Sequence, residues 1–262
     1  MLSLTAQLPR ERGGLGRSAI YISTEAPLST PRLVQLAASI NARLSLDPPV
    51  TTDKVLSITC NDLETQEHIL RYQLPVTIAR YDVGLVIIDS IAANFRAEVD
   101  RPEANKRVKT MSSPQSEQAQ FARRGGELVA VAQNLRELAR RHDLVVVVAN
   151  QVSDRFWREG EDEDVYSLDY QSRWFTGWNE VVEMQGGAKV PALGMVWANR
   201  LAARIVLRKA DEGRRIRRRI GVVFAGWAKG GEEMDFEIWE GGVKAVKEKD
   251  DEDQGAGPSI YR

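Results

Sequence analysis

Tyr81-Asp-Val-Gly-Leu-Val-Ile-Ile-Asp-Ser90 is the stretch that decides the fold. Its unbroken apolar run, Leu85 to Ile88, ends in an aspartate and a serine. Apolar, β-favouring residues without alternation suit a strand buried on both faces, as in a parallel sheet between helix layers. A carboxylate at the C-terminal tip of such a strand lies at the crevice where open α/β sheets bind ligands. Asp89 and Ser90 are therefore the first candidate site residues. A nucleotide site also needs a phosphate cradle. No Gly-Lys dipeptide occurs in the 262 residues, so the loop G-x-x-x-x-G-K-[ST] is not among them.

The elements around this strand alternate. Upstream, Ala19-Ile-Tyr-Ile-Ser23 reads as a buried strand and Val55-Leu-Ser-Ile-Thr59 as a second. Leu33, Leu36, Ala37 and Ile40 give residues 31–44 helical spacing, with Pro31 suited to a first turn. Asn61-Asp62-Leu-Glu64 supplies capping chemistry for a helix to about Tyr72. Downstream, residues 96–118 read as a polar loop, 118–141 as a long amphipathic helix, and 144–149 as a fourth strand. Residues 152–190 form a second long loop, with six acidic residues between Glu159 and Asp169. A short helix is expected within 191–202. Three β-like segments follow: 203–209, 220–227 and 236–239. The pattern predicts an α/β fold, a mostly parallel sheet between helices with a C-terminal antiparallel extension. One domain over 1–245 and a disordered charged tail over 246–262 are expected.

Composition excludes several classes. A net charge of −1 gives no global nucleic-acid signature, so contact with DNA has to come from local patches. A single cysteine, Cys60, rules out an internal disulfide framework, fits a reducing compartment, and suits buried packing more than reactivity. His68 and His142 stand apart from Cys or carboxylate clusters, which argues against a zinc site. No apolar run approaches membrane-spanning length, and residues 1–20 do not resemble a signal peptide.

Parallel strands deliver their C-terminal ends to one edge, so Glu25, Asp89-Ser90 and Asn150-Gln151 should converge. Phosphoryl transfer gives them roles. Asp89 would hold Mg²⁺ through water, Glu25 would orient or deprotonate the attacking water, and Gln151 would sense the γ-phosphate. One polar tip alone would merely mark where a strand stops. Three on one edge favour the nucleotide reading. Arg32 suits either stacking on an adenine or a solvated helix face. Arg96, Arg101, Lys106, Arg107 and Lys109 make the first loop basic, fitting a phosphate-tracking element or a solvated segment. Residues 204–219 carry eight basic and two acidic side chains, and the alternation Arg204, Val206, Arg208 suggests that arginines take the exposed face of a strand. Contact with DNA and a charged edge that blocks sheet addition both fit. Phe156, Trp157, Trp174, Phe175 and Trp178, set among acids, fit base stacking or a partner-protein surface.

Six pieces in order resemble the RecA-type recombinase family, specifically its eukaryotic DNA-repair paralogue branch, and fungal members most. They are Gln7-Leu-Pro9 with Gly13-Gly14, residues 19–25, Pro31-Arg32-Leu33, residues 85–96, Asn150-Gln-Val152 and residues 191–199. The resemblance covers residues 1 to about 245. It implies a RecA-like P-loop NTPase core whose first strand and phosphate loop would precede Leu2. It places Glu25 on the family's water-activating glutamate, Asp89 on its Mg²⁺-side aspartate, Gln151 on its switch glutamine and Arg32 on an adenine-side arginine. The DNA loops would be 97–118 and 152–190. ATP and Mg²⁺ as cofactors are implied, as are single-stranded DNA, a second paralogue as heterodimer, the main recombinase filament, and a nuclear location. Two functions compete: an ATP-binding mediator of homologous recombination, and a non-catalytic interaction subunit without ATP turnover. A ring helicase of the same superfamily fits poorly, because residues 191–199 resemble the paralogues. An interior strand missing from the chain would leave open sheet edges, including that of 144–149.

Overall fold

A computed structural model describes residues 1–99, 114–154, 189–211 and 216–246. Four strands form a parallel sheet: β1 (Ser18–Ser23), β2 (Val55–Thr59), β3 (Val83–Asp89) and β4 (Val145–Val148), in the order β2-β1-β3-β4. Their apolar runs place Ile20, Ile22, Val86 and Ile88 on one face and Ala19, Leu85 and Ile87 on the other. A strand with both faces apolar needs two covering layers. On one side lie α1 (Leu2–Thr5) and α2 (Thr30–Leu44), whose Leu4, Leu33, Leu36 and Ile40 form a buried cluster. Ala6, just after α1, packs on Ala19 and Leu85.

On the other side lie α3 (Leu63–His68), α4 (Leu74–Tyr81), α5 (Ile91–Val99) and α6 (Pro114–His142). Leu70, Leu74 and Ile78 meet Leu128, Val131, Leu135 and Leu138 over the sheet. Asp62 caps α3, accepting from Thr65 N at 2.7 Å. The helix expected to stop near Tyr72 instead continues to Tyr81. A π turn, Ile69–Gln73, carries the chain past Pro75, with Leu74 N bonded back to Ile69 O. Proline lacks an N–H and crowds the preceding turn, and the wider turn accommodates both defects.

Other boundaries also shift. Residues 96–99 and 114–118 of the segment expected as a first loop are helical, since α5 runs to Val99 and α6 begins at Pro114, and residues 100–113 lie outside the described residues. The two ends of the segment expected as a second loop pair as an antiparallel ladder, β5 (Val152–Asp154) with β6 (Lys189–Pro191). The short helix is α7 (Gly194–Ala198). The aromatic and acidic residues at 156–178, and the tail from 247, lie outside the described residues.

The C-terminal antiparallel segment forms its own sheet, ordered β10-β9-β8-β7. Its strands are β7 (Ala203–Asp211), β8 (Ile216–Ala225), β9 (Glu233–Trp239) and β10 (Gly242–Ala245), the last unanticipated from the sequence. Arg32 on α2 ties the β9–β10 turn to the first layer by donating to Glu240 O at 2.6 Å and Trp239 O at 2.8 Å. Gly242, which opens β10, has φ +123°, a backbone conformation that favours glycine, and a Cβ there would also meet Met1 Sδ at 2.8 Å.

The arginine alternation on β7 is real, but its exposure is the reverse of the expectation. Arg204 and Arg208 are half-buried, while Ile205 and Leu207 face outward. The cause is on β9: Glu233 and Asp235 draw the arginines of Arg208, Arg217 and Arg219 into ion pairs on that side. Burial pulls the guanidinium pKa values of Arg204 and Arg208 below the usual range, and at Arg208 the neighbouring Arg219 adds to this. Among the described residues, β4 lies at an edge of the parallel sheet and β7 at an edge of the second sheet.

Candidate functional site

Chain direction and layer geometry together select one crevice. The helix after β1 covers one face of the sheet, and the helices after β3 cover the opposite face. The tips of these neighbouring strands therefore flank a topological switch point, where α/β sheets leave room for a ligand. Glu25 lies two residues past the end of β1, Asp89 ends β3, and Gln151 lies three residues past β4.

Backbone and hydroxyl bonds continue past the last ladder pairs and fix these tips to one another. Thr24 N donates to Asp89 O at 2.9 Å. The buried Thr24 hydroxyl donates to Ser90 O at 2.7 Å and accepts from Ser90 N at 2.9 Å. On the far side, Ala149 N donates to Ile88 O at 2.8 Å and Ile91 N to Ala149 O at 3.1 Å. Buried backbone groups need such partners, so the zipper is a structural requirement that also sets the spacing of the rim.

Two side-chain contacts then define the rim. Tyr21 and Asp89 lie on the same face, because Tyr21 pairs with Ile87 and Ser23 with Asp89. The Tyr21 hydroxyl donates to Asp89 Oδ2 at 2.5 Å. Burial, then this bond, then the carboxylate charge all raise the Tyr21 pKa, so the phenol stays a donor. Beyond the tips, the Gln151 amide spans Glu25 and Arg96. Its Nε2 donates to Glu25 Oε1, and its Oε1 accepts from Arg96 Nη1 at 2.6 Å. Glu25, Asp89 and Arg96 are exposed, Gln151 is partly buried, and Ser90 is buried.

Glu25, Asp89, Ser90 and Gln151 are thus brought to one edge. Arg96 joins them from α5, where it stands in a helix and not in the basic loop expected for it. Asn94, two residues earlier, anchors α5 by donating to Asp62 O at 3.1 Å and Gln66 Oε1 at 2.9 Å. Arg32 is bonded to Gln35 and the β9–β10 turn, and to none of the rim side chains. Arg101, Lys106, Arg107 and Lys109 lie outside the described residues. Tyr21 and Thr24 were missed as partners. The available signal was parity: Tyr21 is two residues before the β1 tip, on the face that Asp89 shares.

The donor set bears on what the rim can hold. Among the described residues no cluster of three or more His, Cys, Asp or Glu is placed to bind a metal directly. Two carboxylates fit Mg²⁺ held through its own waters, since this ion dehydrates reluctantly. Ser90 Oγ and Asn150 Oδ1 are buried at the tips without a partner, two polar atoms that a bound water or ligand would satisfy. The residues present fit the metal side of a Mg²⁺–nucleotide site. The cradle for a triphosphate is not among them.

Residues 1–160 match the Rad51 family. The chain is 40% identical over 219 residues to DNA repair protein rhp57 of Schizosaccharomyces pombe, covering 80% of this chain and 58% of that protein. It is 35% identical over 182 residues to DNA repair protein RAD57 of Saccharomyces cerevisiae, covering 68% and 36% respectively. It is 31% identical over 212 residues to DNA repair protein XRCC3 of Bos taurus, covering 78% and 51%. The chain thus spans between about a third and three fifths of the length of these relatives. No helix among the described residues is long and apolar enough to cross a membrane. With the matched segment taking in β1 to β4 and the whole rim, the chain belongs to the Rad51 family.

Proposed function

We propose that this chain is the core of an ATP-binding recombinase paralogue, acting in the nucleus to assist assembly or stability of the recombinase filament on single-stranded DNA. The observation that carries the reading is the Glu25–Gln151–Arg96 relay on the same rim as Asp89. A glutamine held between a carboxylate and a guanidinium can exchange either partner when charge changes beside it, which is what a phosphate sensor requires. The relatives' names, all DNA repair proteins, supply the biological setting.

ATP with Mg²⁺ supplies the phosphoryl group when bound. Asp89, oriented by the Tyr21 hydroxyl, keeps Oδ1 open to accept from waters around the ion. Glu25 uses Oε1 for Gln151 and leaves Oε2 to orient, or take a proton from, an attacking water. Ser90, next to Asp89, keeps a buried hydroxyl without a partner, which a ligand oxygen or water could take. Arg96 holds the Gln151 amide and, standing on α5, would pass a change at Gln151 to the segment after Val99. That segment, with Arg101, Lys106, Arg107 and Lys109, tracks single-stranded DNA, while Arg32 serves the adenine side. A second paralogue as heterodimer and the main recombinase filament are the protein partners.

The phosphate cradle and the strand leading to it would come from a segment outside these 262 residues. Carboxylates facing a polyanion without backbone N–H donors or a lysine give negligible affinity, so residues 1–262 should not retain ATP. A polypeptide extended to the length of the relatives should retain it with Mg²⁺, and Asp89→Asn should abolish that retention. Glu25→Gln should leave binding intact and lower any turnover by about two orders of magnitude. Retention unchanged in Asp89→Asn rejects the role of Asp89. Binding without measurable turnover in the unsubstituted chain assigns it instead to a non-catalytic interaction subunit.

A further inference from the structure

The second sheet has two unlike faces. Residues directly opposite on antiparallel strands share a face, so the register sorts every side chain. Arg208 and Arg219 oppose each other on one face, and both are neutralised there by Glu233, with Asp235 bonding Arg219 and Arg217. The other face carries Ile205 and Leu207 of β7, opposite Val222 and Ile220 of β8. Met234 of β9 stands opposite Ile220, and Ile238 opposite Val243 of β10. Leu207 is 68% exposed, Ile238 58%, Ile205 57% and Met234 53%. Antiparallel sheets ordinarily turn the polar face to water and the apolar face inward, and here the apolar face is open.

Charge on this face adds a second observation. Lys209 and Arg218 oppose each other directly, continuing the rows of Leu207 and Ile220. Like charges in that position destabilise a ladder. The equivalent pair on the other face, Arg208 with Arg219, has its acids. Among the described side chains, Lys209 and Arg218 have none.

We infer that this face docks one amphipathic helix of a partner polypeptide, with an apolar stripe over Leu207, Ile220 and Met234 and acidic residues against Lys209 and Arg218. Size decides between a helix and a second folded copy. Four strands about 4.8 Å apart, over about five residues each, offer an area on the order of 300 Å². A stable association of two folded proteins needs about 800 Å² from each. One helix, about 10 Å across, fits the sheet's width, and its acidic flank settles the opposed cations.

The test uses the full chain and two synthetic 18-residue helical peptides sharing a leucine stripe, one flanked by glutamates and one by lysines. Fluorescence anisotropy should show the glutamate peptide binding at least about tenfold more tightly than the lysine peptide, and more weakly at high salt. Leu207→Asp should weaken that binding by at least about tenfold, the scale of one central interface residue. The double charge reversal Lys209→Glu with Arg218→Glu, at one exposed and one partly exposed position, should invert the preference to the lysine peptide while the melting curve shows the variant folded. Equal binding of both peptides, or none, overturns the proposal. So does a dimer in sedimentation that Leu207→Asp dissociates, which would assign the face to a second copy. Capture of a single-stranded oligonucleotide that the charge reversal alone abolishes would assign it to nucleic acid and overturn it too.

Discussion

The two sheets of this chain dispose of their apolar side chains in opposite ways. In the parallel sheet both faces are apolar, both meet helices, and polar chemistry is confined to the strand tips. In the antiparallel sheet the ion-paired arginines take one face, and the other carries an apolar row, ending in Lys209 and Arg218, that meets solvent. The difference follows from connection type. Each parallel crossover brings a helix that must pack back on the sheet, whereas a hairpin brings no cover of its own. A site built from strand tips is therefore rigidly supported here, and a site built on a sheet face is left open to whatever docks there.

Core truncation should break the comparison most sharply. Ile88→Ala, in the fully buried layer between the parallel sheet and α6, should cost about 2–5 kcal/mol. Leu207→Ala should stay within about 0.5 kcal/mol, because its side chain is mostly in water already. Urea unfolding of both variants measures the contrast, and equal losses would contradict it. Next in size is Thr24→Val, which leaves the Ser90 amide and carbonyl without their hydroxyl partner. The expected loss is about 1–3 kcal/mol by the same measurement.

Glu233→Gln leaves Arg208 and Arg219 opposed without their shared carboxylate. It should cost about 1 kcal/mol, less at high salt, since these side chains are only partly buried. The smallest effect is a pH dependence at Cys60, 1% exposed beneath the β1 tip. Burial first, then the nearby Asp62 carboxylate, push its thiol from 9.0 to about 11. Because the folded value is raised, the contribution is fully present below the ordinary value and is lost as pH rises through about 11. Alkylation by iodoacetamide near pH 9 should accordingly lag that of the urea-unfolded chain, and equal rates would contradict the burial.

Much of the fold was legible because apolar runs such as Leu85–Ile88 and Val145–Val148 admit few alternatives to buried strands. Convergence of Glu25, Asp89 and Gln151 was legible for the same reason, since parallel strands end at one edge. What escaped depends on tertiary partners. The helix passes Pro75 because a π turn at Ile69–Gln73 accommodates it, which no local propensity announces. Arg96 belongs to the rim because Asn94 and Gln66, far apart in sequence, hold α5 in place. Period-two alternation separated Arg204 and Arg208 from Ile205 and Leu207, but it says only that two faces differ. Which face is sheltered was decided by Glu233 and Asp235 on another strand.

The central claim, that three strand tips meet on one rim, has a direct geometric test. In a Cys60→Ser background, Glu25→Cys and Gln151→Cys are introduced together, and the protein is treated with a short bifunctional maleimide. The hydrogen bond between the native side chains predicts an efficient intramolecular cross-link, seen by mass spectrometry as one reagent spanning both peptides. If each thiol reacts readily with a monofunctional maleimide and no cross-link forms, the tips do not meet, and the nucleotide reading of this rim fails with them.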